Sequence, residues 1–173
     1  MNLGRSLDRS VIVSVLLAVA LSALTPATRA AIPESQLKLA GAIPLTTELL
    51  EKMEKFVASL KGDDAAKAEL TTVTKENKDN PPMTGEAWGS LITAKCPKTV
   101  ALFEAAGLTA VDFGKAAHVI ETIIMGEAMA PPGDPDNMAK SDDKTVAANA
   151  AFVAANRGRA EAVYGKFITF GIQ

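Results

Sequence analysis

Between residues 45 and 60, the apolar side chains recur at spacings of three and four positions. The residues that follow this spacing are Leu45, Leu49, Leu50, Met53, Phe56, Val57 and Leu60. At about 100° per residue, the spacing gathers them into one stripe along an α-helix. It predicts a helix capped by Thr46 or Thr47 and ended by Gly62 as a left-handed C-cap.

The rest of the chain repeats this pattern, with turn residues between the apolar segments. Further helices are predicted at residues 64–77, 86–95, 97–106 and 109–129, and from residue 145 or 149 to 170. No alternation of apolar and polar residues at the period of a strand competes with them. We therefore expect a single all-α domain, built as a bundle of four to six helices.

The first thirty residues have the three parts of a cleavable signal peptide. Arg5 and Arg9 precede an apolar run over residues 11–24. Thr28 and Ala30 then occupy the small positions before a cleavage site. A membrane anchor is the alternative, but crossing a bilayer takes about 20 apolar residues and this run is shorter. We expect residues 31–173 to form a protein exported to the periplasm and not stably inserted in a membrane.

The charge of the chain narrows the classes of partner that it can bind. The whole chain has a formal net charge of −2, and removing residues 1–30 takes away more arginines than acids. Nucleic-acid binding requires a basic face, and the lysines alternate with acids instead, so a nucleic-acid partner is not expected.

Cys96 is the single cysteine, which excludes an intrachain disulfide. We expect it to be buried as a small apolar residue.

The segment AGLTAVDF, residues 106–113, has the pattern of a helix start. Thr109 as N-cap places Asp112 at N3, where the carboxylate can return a hydrogen bond, and Leu108 and Phe113 then occupy the hydrophobic staple positions. Together with a proline-rich loop and the segment NAAFVAANRGRAE, residues 149–161, it is similar to uncharacterised small helical proteins exported by Gram-negative bacteria. The resemblance implies an exported compartment. It implies no activity, ligand or site residue.

The imidazole and thioether groups on the helix predicted at residues 109–129 are the side chains that most suggest a metal or haem site. His118, Met125 and Met129 fall on one side of that helix, opposite a wide apolar face over residues 113–124. Such groups bind copper and haem iron. His118 and Met125 are nevertheless about 10 Å apart along the axis, too far to share a metal ion directly. Without a CxxCH motif, haem would be non-covalent. The alternative is a methionine stripe that faces a partner.

Glu127, Asn149 and Asn156 are polar residues on apolar helix faces. Glu127 stands near its helix end, and we expect it to reach solvent. Asn149 is expected to cap the last helix. Asn156 lies inside that helix and should make a structural hydrogen bond, for example to loop backbone, with a ligand as the alternative. An enzyme that used Glu127 and Asn156 would need both in one cavity.

With one histidine, one cysteine and one tyrosine, the sequence offers no recognisable nucleophile and base. Our leading hypothesis is a non-enzymatic exported helical protein without a cofactor, a binding or interaction module of unknown ligand. The alternative is a periplasmic copper or non-covalent haem carrier. A small-residue face on the last helix can form an intrachain contact or a homodimer seam; its members are Ala147, Ala151, Ala154, Ala155, Gly158, Ala162 and Gly165.

The loop over residues 130–144, which contains the segment PPGDPDN, is long for a connection inside a compact domain. Its composition is too polar to bury, so we predict that it is the most mobile stretch and the first site of limited proteolysis. It could close as a lid near Met129 and Asn156. Asp134, Asp136 and Asn137 lack the glycine and distal glutamate of a calcium-binding EF-hand loop.

Overall fold

The structure is a computed structural model and describes residues 34–82, 84–129 and 138–171. The side chains of residues 129 and 167–171 lie outside this description. The described residues form one all-α domain, as predicted. They contain eight helices: α1 Glu34–Ala40, α2 Thr47–Gly62, α3 Asp64–Glu76, α4 Gly85–Lys95, α5 Pro97–Ala106, α6 Ala110–Met129, α7 Lys144–Ala155 and α8 Arg157–Gly171.

The described helices outnumber the predicted four to six for two reasons. Helix α1 has only seven residues, which is too short to show a periodic apolar stripe. The last predicted helix is interrupted by a turn at Asn156, so it is present as α7 and α8. The other five predicted helices are each found, with ends within about two residues of the predicted ones.

Short polar side chains begin most of these helices. The caps that accept a hydrogen bond from a first-turn N–H are Thr46, Asp63, Thr84 and Asp143. Thr109 does the same for α6, because its hydroxyl accepts from the N–H of Asp112 at 3.0 Å. The Asp112 carboxylate in turn accepts the Thr109 hydroxyl proton at 2.8 Å. Asp112 therefore does bond back to its cap, but the bond is made to the Thr109 hydroxyl and not to the backbone N–H that a capping box uses.

The two glycines expected to stop helices behave differently. Gly107 follows α5 in the left-handed region, with φ 74°, as predicted. The prediction for Gly62 is wrong, because Gly62 is still the last residue of α2 and Asp63 ends the helix at φ −112°. The Asp63 carboxylate immediately accepts from the N–H groups of Ala65 and Ala66. A capping side chain makes this turn without a left-handed residue.

Three phenylalanine rings from α2, α5 and α6 meet at the centre of the core. Phe56 and Phe103 stack with centroids 3.7 Å apart, and Phe113 approaches Phe56 edge-on at 5.0 Å. Most of the predicted apolar face of α6 is also buried, in the residues Ala116, Ala117, Val119, Ile120 and Ile123, while Ile124 is half-buried. The periodicity of α6 therefore identified its core face correctly.

Helices α4 and α6 approach each other through glycines. A Cβ atom at Gly85 would lie 1.9 Å from the carbonyl oxygen of Gly114, and one at Gly89 would lie 2.4 Å from the Cα of Val111. Carbon atoms in favourable contact are about 3.5–4.0 Å apart, so neither position has space for a side chain. Glycine is required here by the close approach of two backbones.

Asn149 does not cap the last helix, which corrects the prediction. It lies inside α7, is 1% exposed, and accepts a hydrogen bond from the N–H of Leu45 at 2.8 Å. Its amide nitrogen donates to the carbonyls of Ala40 at 2.8 Å and Ile43 at 2.9 Å. The segment between α1 and α2 packs against α7, and its backbone groups need partners there. Asn149 supplies three of these partners.

Candidate functional site

The three predicted ligating residues all belong to α6. His118 is half-buried, and the side chain of Met125 is 50% exposed; the side chain of Met129 lies outside the described residues. His118 and Met125 are seven positions apart on the helix, which keeps them about 10 Å apart along the axis. Within the described ranges, no three His, Cys, Asp or Glu side chains are grouped so that they could hold a metal ion.

Helix α4 covers part of the side of α6 on which His118 and Met125 lie. Gly114, one turn before His118, is on that side and is in contact with Gly85 of α4. The side opposite the main apolar face is therefore not a continuous exposed stripe. Met125 is the accessible member, two turns beyond His118.

Glu127 is not simply solvated, which corrects the expectation. Its carboxylate forms an ion pair with the guanidinium of Arg157, and its side chain is 25% exposed. The same guanidinium pairs with Glu161 one turn along α8. These hydrogen bonds, that to Glu161 first, raise the pKa of Arg157. Glu127 thus joins the end of α6 to the start of α8.

Asn156 forms the joint between α7 and α8. Its side-chain nitrogen donates to the carbonyl of Phe152 at 2.9 Å, and its own carbonyl accepts from the N–H groups of Arg159 and Ala160, each at 3.0 Å. The side chain therefore makes a structural bond, as expected, but the partner is its own helix. Glu127 and Asn156 each have a partner that does not involve the other.

Sequence reasoning missed two further polar contacts that fix α8. Arg159 donates to both carboxylate oxygens of Glu54 on α2, at 2.8 and 2.7 Å, and these bonds lower the pKa of Glu54. Tyr164 donates its hydroxyl to Glu121 on α6 at 2.9 Å. Burial first, and then this bond, raise the pKa of Tyr164 to about 12. Partners 43 and 105 positions apart leave no signal in a local pattern.

An open groove of about 660 Å³ runs between α3 and the junction of α4 with α5. Its lining residues are Ala65, Ala68, Glu69, Thr72, Val73, Glu76, Lys95 and Lys98. None of the predicted site residues is among them. The groove is bordered by acids and lysines in equal number, and Lys95 pairs with Glu76 at 3.0 Å.

Glu69 in this groove caps α5 from another helix. Cys96, which precedes α5, makes no capping bond with its side chain. The Glu69 carboxylate instead accepts from the N–H of Lys98 at 3.2 Å and from the N–H of Thr99 at 3.0 Å. A carboxylate is favourable at a helix N-terminus, where free N–H groups carry partial positive charge. The Glu69 carboxylate therefore has a structural role, as the cap of α5.

Cys96 is fully buried beside this cap, as predicted. Burial, and secondarily the charge of Glu69, raise the pKa of its thiol to about 11. The thiolate is the nucleophilic form of cysteine. At neutral pH, Cys96 is therefore a protonated apolar group in the core.

The small-residue face of α7 and α8 is turned outward. Its exposed members are Ala151, Ala154, Ala155, Gly158, Ala162 and Gly165. A Cβ atom at Gly158 would meet no atom within 4 Å. The intrachain version of the prediction is therefore wrong for the exposed alanines and Gly158, which the described helices leave accessible, whereas Ala147 is half-buried. The homodimer version stays a prediction.

Several predictions concern residues outside the description. The signal peptide at residues 1–30 and most of the proline-rich loop, residues 130–137, belong to this group. The end of the loop is described, and Met138 there is only 5% exposed. Its terminal methyl group lies beside Gly126 of α6, where an added Cβ atom would be 2.7 Å away. The loop is thus attached to the bundle just before α7.

No protein family, curated protein or solved structure matches this chain. None of the eight described helices has both the length and the apolar character needed to cross a bilayer.

Proposed function

We propose that this chain is a non-enzymatic exported protein that acts by binding, through the outward small-residue face of α7 and α8. The exposed alanines and glycines of that face carry the proposal. Small side chains let two helix backbones approach closely. Gly85 and Gly89 of α4 make a close backbone contact of this kind with α6. On α7 and α8, small side chains are exposed in the part of the chain that the structure describes.

The positions of the reactive side chains support a binding role over catalysis. Glu69 caps α5, Glu127 pairs with Arg157, and Tyr164 is bonded to Glu121. Cys96 is buried with a raised pKa, about 11. These four side chains, which could otherwise act as nucleophiles or bases, are thus engaged in structural contacts or buried.

We propose a second copy of the chain as the occupant of this face. Sedimentation equilibrium should show a monomer–dimer equilibrium at high micromolar concentration. Arg in place of Ala154 would put a long charged side chain into the seam, so Ala154→Arg should weaken association at least about tenfold. Ala58→Arg is the matched control, because Ala58 is an exposed alanine on α2. A strict monomer, or equal effects of the two substitutions, would refute the homodimer.

A metal or haem carrier is the second candidate, and the half-exposed thioether of Met125 is the observation that favours it. Copper(I) is a soft ion that binds thioether and imidazole groups. The purified protein should then take up Cu(I) or haem with micromolar affinity, and His118→Ala and Met125→Leu should each weaken uptake. Uptake that is absent, or unchanged in both variants, would remove this candidate.

The proposed compartment rests on the residues 1–30 and on the resemblance of residues 106–161 to exported helical proteins. Expression of the full chain in a Gram-negative host should yield a periplasmic protein that begins at Ala31. The intact mass of the periplasmic form tests the cleavage site. Recovery of the uncleaved chain in the cytoplasm would contradict export.

A further inference from the structure

Polar contacts at the protein surface join α8 to α2 and α6. Arg159 binds Glu54 of α2 with two hydrogen bonds, at 2.8 and 2.7 Å, and Arg157 pairs with Glu127 of α6. The exposed fractions of the paired side chains are 40% and 37% for the first pair and 40% and 25% for the second. Dissolved ions can therefore reach both pairs.

The described side chains of α8 bury less apolar area than those of α6. Over residues 157–166, the fully buried side chains are Ala160 and Val163. Tyr164 is half-buried and gives its hydroxyl to Glu121. Two small aliphatic side chains bury much less area than the aromatic and isoleucine side chains by which α6 enters the core.

The joint at Asn156 makes α8 a separate mechanical element. The hydrogen bonds of Asn156 run to residues 152, 153, 159 and 160, all within its own turn. None of these bonds ties the joint to α2 or α6. Within the described residues, the joint itself therefore makes no hydrogen bond to a distant helix, and rotation would have to break those of Arg157, Arg159 and Tyr164.

From these contacts we infer that α8 is a latched arm, which dissolved salt can release from α2 and α6 while the rest of the bundle stays folded. The latch consists of Arg157, Arg159 and Tyr164 on the arm. All three donate to carboxylates, which belong to Glu54, Glu121 and Glu127. Release leaves these three carboxylates without their partners and exposes an acidic surface on α2 and α6. The closed arm keeps that surface covered.

The inference does not rest on the proposed dimer, and the experiment keeps the two apart. Hydrogen exchange followed by mass spectrometry is measured on the purified protein at a concentration that sedimentation shows to be monomeric. The exchange rate of amides in residues 157–166 is compared at low ionic strength and in about 1 M NaCl, where the Debye length falls to about 3 Å. Amides of α7 provide the internal reference, because they share the joint but not the latch.

Loss of two exposed ion pairs of ordinary strength should raise the equilibrium constant for opening of α8 by between about twofold and thirtyfold. We therefore expect the amides of α8 to exchange at least about threefold faster at high salt, with α6 and α7 unchanged. Arg159→Met keeps an unbranched apolar stem but removes the pair with Glu54. It should raise α8 exchange at low salt and reduce the further response to salt.

Lys95→Met is the matched control, since it removes a cross-helix ion pair, with Glu76, that does not involve α8. It should leave α8 exchange unchanged. Tyr164→Phe is a second test of the latch, because it removes a hydroxyl and little volume. The inference is overturned if α8 exchanges only together with α6, whether in the salt series or in the variants, or if salt has no effect on α8.

Discussion

The contact between α4 and α6 can be tested by adding one methyl group at Gly89. In Gly89→Ala the new Cβ atom would lie 2.4 Å from the Cα of Val111 and 2.5 Å from the carbonyl oxygen of Ala110. Both atoms belong to helix backbone and cannot turn away as a side chain can. To restore a contact of about 3.5 Å, the two helices must separate by roughly 1 Å.

The size of the effect follows from two opposing contributions. Alanine gains about 0.8–1.0 kcal/mol over glycine in a helix interior. Overpacking a close contact costs about 1–3 kcal/mol, occasionally more, and a contact with backbone belongs at the upper end. We therefore expect Gly89→Ala to lower the free energy of unfolding by about 2 kcal/mol, which corresponds to a fall in Tm of roughly 4–8 °C for a domain of this size.

Urea unfolding followed by far-UV circular dichroism and by the fluorescence of Trp88 measures this change. Trp88 is suited to it because it is adjacent to Gly89 on α4 and lies 6.2 Å from Phe113 between ring centroids. Gly62→Ala is the control, since a Cβ atom there would meet nothing within 4 Å. The control should be unchanged or more stable. If Gly89→Ala is as stable as the control, the close approach of α4 and α6 is refuted.

Three further predictions concern the buried polar groups and the thiol. Asn149→Leu leaves the N–H of Leu45 and two carbonyls without partners, so urea unfolding should show a loss of about 3 kcal/mol; a loss below about 1 kcal/mol would contradict the three bonds. Glu69→Gln removes the charge that caps α5 and should cost about 1 kcal/mol, measured against Glu76→Gln, whose exposed pair should cost less. Burial raises the pKa of Cys96 to about 11, above about 8.5 in an unfolded chain. The native chain then keeps a proton that the unfolded chain releases, so the stability from this group is complete below about pH 8.5 and decreases as the pH rises towards 11. Native protein should resist thiol alkylation at pH 8 unless it is unfolded, and rapid labelling of the native protein would contradict the burial.

Local sequence patterns predicted the helices and their starts well. The caps at Thr46 and Thr109, the left-handed stop at Gly107 and the core face of α6 all depend on residues within about four positions of one another. Cys96 was also predicted correctly, because a lone cysteine is commonly buried.

The candidate site was much harder to predict. Asn149 was expected as a cap and instead holds the segment between α1 and α2, while Glu127 was expected in solvent and instead pairs with Arg157. The glycines at 85 and 89 stand one turn apart on α4, a spacing typical of close helix contacts, but the sequence does not say which helix they meet. His118 and Met125 lie on the helix that was predicted for them, α6. The uptake experiment tests whether they bind Cu(I) or haem.

The sequence by itself determined that the described domain is all-α, where most of its helices begin and which faces of α2 and α6 are apolar. These properties come from hydrogen bonds and side-chain periodicity over one or two turns of helix. Only the tertiary structure decided that Glu69 caps α5, that glycines join α4 to α6 and that three carboxylates hold α8. Such contacts join residues far apart in the chain, and a polar residue finds its partner only after apolar burial has placed the helices side by side.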